Sequence, residues 1–140
     1  MKSPIEISLF FLKFRPRTVF EITEKLKSKK ISDKEIKEVI SVLKRNGLLD
    51  DEKFAKMWVR DRNHFKPCGN FLLKVELKKL GIDEHLIEEA VSYQDEIKLA
   101  KQAIEMKNRY RNAEFPKQAA FLQRRGFPMN VIFKVLKKEE

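Results

Sequence analysis

The chain has 140 residues, 42% of them hydrophobic and 37% charged, with only 4 glycines and 5 prolines. That balance suits one compact domain or a few small helical repeats, and excludes both a disordered polyelectrolyte and a turn-rich β-sandwich or barrel. Lysine and arginine outnumber aspartate and glutamate 31 to 21, and the resulting charge of +10 predicts a polyanionic neighbour: nucleic acid, an acidic protein surface or an anionic membrane.

The elements can be read in chain order from apolar residues spaced three and four apart. A first helix carries Ile5, Leu9 and Leu12 and a second carries Ile22 and Leu26. A third carries Ile36, Val39, Ile40 and Leu43. Ser32 is placed to cap the third, with Glu35 completing a capping box and Ile31 and Ile36 forming a hydrophobic staple. Gly47 then ends it, and Asp50 and Asp51 open the next helix, where their charge complements the dipole. Phe54, Trp58 and Arg62, leading to Phe65, mark that helix; Leu73 and Leu77 mark the one after, which Gly81 closes. Asp83 is the expected cap of a helix carrying Ile87, Ala90 and Val91, with Ile82 and Ile87 as its staple. Leu99, Ala100, Ala103 and Met106 begin the series again, followed by Phe121 and Leu122, then Gly126. The last helix carries Ile132, Val135 and Leu136, and Phe127 and Ile132 form its staple. Pro128 stands in its cap column and predicts a start displaced by one residue.

This order is a repeat. Residues Phe14 to Ile40 lie over Phe65 to Val91 without a gap, and Tyr110 to Leu136 lie over both. Phe14 meets Phe65 and Tyr110; Leu26 meets Leu77 and Leu122; Ile36 meets Ile87 and Ile132. The fold class is therefore all-α, with three tandem three-helix repeats (1–49, 50–92 and 93–140) stacked into an elongated, curved array, since units this small do not stand alone. Residues 1–49 carry 12 basic and 6 acidic side chains, residues 50–92 carry 8 and 9, and residues 93–140 carry 11 and 6, so the outer repeats hold the positive charge.

Motifs for chemistry are sparse. There is no Walker loop, dinucleotide fingerprint or His-Glu-x-x-His pair. His64 and His85 read as surface or cap residues, and two histidines with one cysteine do not make a usual zinc site. Cys68 excludes an internal disulfide, fits a reducing cytoplasmic compartment and lacks an evident base to activate it as a nucleophile. The acidic run Asp50 to Glu52 is explained by its place at a helix start. Phe54, Trp58 and Phe65 sit at helical spacing and read as core in preference to a base-stacking platform. No apolar run reaches the ~20 residues of a membrane span, and ISLFFL is too short and lacks the cleavage site of a signal peptide.

The basic residues are the functional candidates. Arg15, Arg17 and Lys66 follow first helices, Arg60 and Arg62 precede Lys66, Arg109 and Arg111 hold the matching place in the third repeat, and Arg124 and Arg125 end a second helix. Their recurrence points to a common polyanion-binding edge; a merely solvated charged face is the competing reading.

Gly47-Leu48, Asp50-Asp51, Phe54-Ala55, Arg60 and Arg62, the Leu73 to Leu77 helix and Gly81-Ile82 together resemble the central repeat of the RecX family, regulators of the bacterial RecA recombinase. The flanking repeats extend the resemblance over nearly the whole chain. Pro67-Cys68-Gly69 departs from the family's Gly-Pro before the second helix of that repeat, and Lys30 replaces the glycine of the Gly81 and Gly126 column. The resemblance implies a non-enzymatic regulator acting in recombinational DNA repair; the chain is further expected to use no cofactor and to be monomeric and cytoplasmic. Its partners would be RecA, the RecA filament on single-stranded DNA and, as a further polyanion, double-stranded DNA. Lodged in the filament groove, it would limit filament extension and lower ATP hydrolysis, strand exchange and coprotease activity. A stand-alone basic helical DNA-binding protein acting without RecA is the alternative.

Overall fold

Side-chain caps set where the first helices begin. In the computed structural model, which describes residues 2–136, Ser3 and Thr18 each close a full capping box, with Glu6 and Glu21 respectively. The first three helices are α1 (Pro4–Phe14), α2 (Val19–Ser28) and α3 (Asp33–Arg45). They are followed by α4 (Asp51–Phe65), α5 (Asn70–Lys79) and α6 (Glu84–Val91). The last four are α7 (Glu96–Glu105), α8 (Asn108–Arg111), α9 (Phe115–Arg124) and α10 (Met129–Leu136). No strand occurs among the described residues. Residue 1 and residues 137–140, which the sequence reading assigns to the outer repeats, lie outside the described residues.

Three buried clusters follow the three repeats. Ile22, Leu26, Ile36, Val39, Leu43 and Leu49 form the first. Leu73, Leu77, Ile82 and Ile87 lie in the second, and Leu122, Phe127, Val131 and Ile132 in the third. Ile22, Leu26, Leu73, Leu77, Leu122 and Ile132 are wholly buried, each contributing roughly 1.5–3 kcal/mol by leaving water.

Several expectations need correction. Leu9 and Met106 are exposed: Ile7 and Phe11 pack with Ile5 and Leu12 against the first core, and Met106 is the C-cap of α7. Phe65 is 72% exposed and is no core residue, whereas Phe54 is buried and Trp58 stacks on it at 5.9 Å. Ser32 does cap α3, but Glu35 reaches the Ser32 hydroxyl instead of the backbone N–H that a capping box requires. Asp83 holds the cap position of α6 without a side-chain hydrogen bond. Pro128 does not displace its helix, because α10 starts one residue after it, as α3 and α6 do after Ser32 and Asp83. The third repeat also contains the one-turn α8, which the periodicity did not predict.

The joints between repeats are themselves repeated. The Thr18 hydroxyl donates to the Leu80 carbonyl at 2.7 Å, and the Val19 N–H donates to Asp51 Oδ1 at 3.0 Å. One repeat later the Gly69 N–H donates to the Arg125 carbonyl at 2.8 Å, and the Asn70 N–H donates to Glu96 Oε2 at 2.9 Å. Thr18 and Gly69 share a column in the alignment, as do Val19 and Asn70, Leu80 and Arg125, and Asp51 and Glu96. Each acid thus satisfies an orphan N–H at the first residue of the preceding repeat's second helix. Gly81 and Gly126, at φ 81° and 89°, complete the two joints. A Cβ on Gly81 would run into the Phe20 side chain, and one on Gly126 would lie 2.5 Å from Leu72 N and Cβ. Lys30 stands in the same column with φ 61° and is the one non-glycine residue of positive φ among the described residues.

Candidate nucleic-acid interface

The nine basic candidates fall into two groups, and the division follows from what each guanidinium touches. Arg15 pairs with the Glu21 carboxylate and donates to the Pro16 carbonyl. Arg17 lies over the Phe11 ring at 3.7 Å, donates to the Phe11 carbonyl and stands 4.0 Å from Glu21. Burial, with Arg15 nearby, pulls Arg17 below the ordinary arginine value. Both residues bind the α1–α2 turn to itself.

Arg62 is also committed. Its Nε and Nη2 donate to Glu76 at 2.9 and 2.6 Å, and the Trp58 indole N–H donates to the same carboxylate at 2.8 Å. Burial alone would raise the Glu76 pKa; the hydrogen bonds from Arg62 and Trp58 outweigh it and hold the group below the usual carboxylate range. The triad ties α4 to α5. Arg125 locks the second joint: it donates to the Pro67 carbonyl at 3.0 Å and lies 4.7 Å from the Phe121 ring centroid. Burial lowers its pKa as well.

Arg60, Lys66, Arg109, Arg111 and Arg124 are exposed. Arg60 meets only its sequence neighbour Asp61 as an ion-pair partner among the described residues. Arg109, Arg124 and Arg125 are brought together in one groove of about 510 Å³, with Lys107, Tyr110 and Phe121. The Tyr110 ring stacks on Phe121 at 4.2 Å and 15°, and its hydroxyl accepts from Arg124 Nη2 at 3.1 Å. Gln118 Nε2 donates to the Tyr110 carbonyl at 2.9 Å and so pins α8 against α9. Arg111 points instead to Asn108 on its own turn. The groove therefore has an aromatic floor, cations on its walls and no acidic residue in its lining. Such a surface can neutralise phosphates and offer an aromatic edge to a base. Tyr110 and Lys107 were not among the sequence candidates, although the Arg-Tyr-Arg triplet at 109–111 was a usable signal.

The remaining chemical candidates have structural roles. Asp50 caps α4 through the Lys53 N–H, Asp51 closes the first joint and Glu52 pairs with Lys56 at 3.2 Å. Cys68 is buried, its thiol donates to the Lys66 carbonyl at 2.9 Å, and burial raises its pKa, so it is held as the thiol. Among the described residues no three His, Cys, Asp or Glu side chains converge, and no helix is long and apolar enough to cross a membrane.

The family models for the first and second three-helix domains of RecX match residues 5–43 and 50–91, more than half the chain between them. The chain belongs to the RecX family. The regulatory protein RecX of Thermotoga maritima is 35% identical over 138 residues, covering 98% of this chain and 84% of that protein. The RecX of Geobacillus sp. (strain WCH70) is 31% identical over 147 residues and 99% of this chain, which spans only 54% of that longer relative. The crystal structure of RecX from Lactobacillus salivarius superposes with a TM-score of 0.83 at 27% identity, over 96% of this chain and 92% of the other. The helical repeat architecture follows from this membership.

Proposed function

We propose that the chain is a non-enzymatic regulator that binds RecA and its filament on single-stranded DNA, limiting filament extension, ATP hydrolysis and strand exchange. It would act in the cytoplasm, as a monomer, in recombinational repair. Membership of the RecX family carries this reading. The basic, aromatic-floored groove around Tyr110 supports a nucleic-acid contact, with Arg109, Arg124 and Lys107 facing phosphate. Arg60 and Lys66 are exposed and available as further contacts, whereas Arg15, Arg17, Arg62 and Arg125 serve the fold first.

One feature favours the alternative of a DNA-binding protein that acts alone: the groove is lined wholly from the third repeat and needs nothing from a recombinase. Titrating this protein into RecA hydrolysing ATP on single-stranded DNA at physiological salt separates the two. Substoichiometric inhibition that survives excess free DNA supports the filament regulator. Absence of inhibition, or inhibition removed by the added DNA, supports the stand-alone binder.

A further inference from the structure

The α1 sequence PIEISLFFLKF is apolar around most of its circumference, yet only one side meets the core. On the other side Leu9, Phe10 and Phe14 are 45%, 50% and 65% exposed, and Phe10 and Phe14 meet edge to face at 5.2 Å. Next to this face, α1 and α2 enclose a groove of about 480 Å³. Ile7, Phe10 and Ile31 supply its apolar lining; Lys2, Lys25 and Lys29 supply the rest, and no acid is present in the lining. The Lys2 ammonium stands 4.4 Å from the Phe10 ring centroid, and that of Lys25 stands 5.2 Å from Phe11. These ammonium groups thus lie over aromatic faces at the groove, beside its apolar lining.

We propose that this groove and the adjoining Phe10–Phe14 face dock an acidic amphipathic helix of a partner protein. Its apolar side chains would enter against Ile7, Phe10 and Ile31, and its carboxylates would meet Lys2, Lys25 and Lys29. The volume falls within the ~300–1,000 Å³ typical of binding pockets, and anchors spaced i, i+3/i+4, i+7 suit a groove between helices. Charge selects the occupant. Residues 1–49 hold 12 basic and 6 acidic side chains in a chain of net +10, so a second copy is repelled while an acidic segment is attracted. Bare phosphate would use the lysines and leave the apolar lining exposed. This surface lies in the first repeat, apart from the Tyr110 groove, and its assignment does not depend on the RecA reading.

The test uses the whole protein and a fluorescein-labelled helical peptide of roughly 15 residues, with leucines on one face and glutamates elsewhere. Anisotropy at physiological salt should show saturable binding, weakened at least about tenfold when the leucines become serine or the glutamates become glutamine. Phe10→Ser and the pair Lys25→Glu with Lys29→Glu should each weaken it by a similar factor. The helical circular-dichroism signal and a cooperative thermal transition serve as the folding control; should Phe10→Ser fail it, the lysine pair decides. Failure to bind the peptide, or undiminished binding by the folded variants, would overturn the proposal. So would Phe10-dependent binding to phosphatidylglycerol vesicles without peptide binding, or a Phe10-dependent dimer in sedimentation.

Discussion

Asp51 accepts the backbone N–H of Val19 at 3.0 Å, thirty-two residues earlier in the chain, and thereby closes a helix that belongs to the preceding repeat. Glu96 does the same for Asn70 at the next joint. An acid at the start of one repeat's first helix is thus the N-terminal partner of its predecessor's second helix.

Asp51→Ala should cost about 1 kcal/mol in urea unfolding, the scale of a lost helix cap. Asp51→Asn keeps an acceptor and should be close to neutral. Burial, opposed by the Val19 hydrogen bond, raises the Asp51 pKa. The fold therefore favours its protonated form: that contribution is complete below the ordinary aspartate value of about 3.9 and is lost as pH rises through the raised folded value. Wild type should lose stability relative to Asp51→Asn across that window; a difference independent of pH would contradict the assignment.

Glu76 should titrate with the opposite sign. Its pKa is held low, so its contribution is complete above the ordinary glutamate value of about 4.3 and disappears as pH falls through the lowered folded value. Glu76→Gln should cost roughly 1–2 kcal/mol at pH 7, since it weakens a charge-assisted pair that is only partly buried. The gap to wild type should close in acid. Trp58, the one tryptophan, reports the loss of its carboxylate partner as a change in emission.

Two glycines with similar φ should differ sharply. Gly47, at φ 72°, would accept a Cβ with nothing within 4 Å, so Gly47→Ala should cost about 1 kcal/mol from backbone strain alone. Gly126→Ala adds a collision with Leu72 and should cost roughly 3 kcal/mol or more. Equal losses in thermal unfolding would mean that the second joint is looser than its geometry.

Arg124→Ala should leave stability within about 0.5 kcal/mol of wild type, because the residue is exposed. Combined with Arg109→Ala, it should weaken single-stranded DNA binding and flatten its dependence on salt by roughly one unit of slope per lost phosphate contact. Arg125→Ala should instead lower the melting temperature through the lost Pro67 contact. An unchanged slope in the double variant would assign the groove to solvent.

The helix series was legible because caps, glycines and three-four spacing are local signals: Ser32, Asp50, Gly81 and Leu77 all stand where they were expected to act. Helical spacing misled at Phe65, since it does not by itself distinguish a core position from a surface one. Phe14 and Phe65 are exposed, whereas Phe20 borders Gly81 at the first joint. Neither joint was visible, because pairing Asp51 with Val19 requires knowing which columns face each other between repeats. The basic edge was seen as a set of charges; Glu21, Glu76 and the Pro67 carbonyl decide which of those charges are occupied at home.

Lys30 gives the stacking step a terminus. The joints are head-to-tail: each unites two different surfaces, and a contact of that kind can pass from molecule to molecule into an open fibre unless something closes it. At Gly81 and Gly126 the neighbouring repeat leaves no room even for a methyl group. Lys30 brings a whole side chain to that column and so works against the same contact between the third repeat of one molecule and the first of another, although the contact is used twice within the chain.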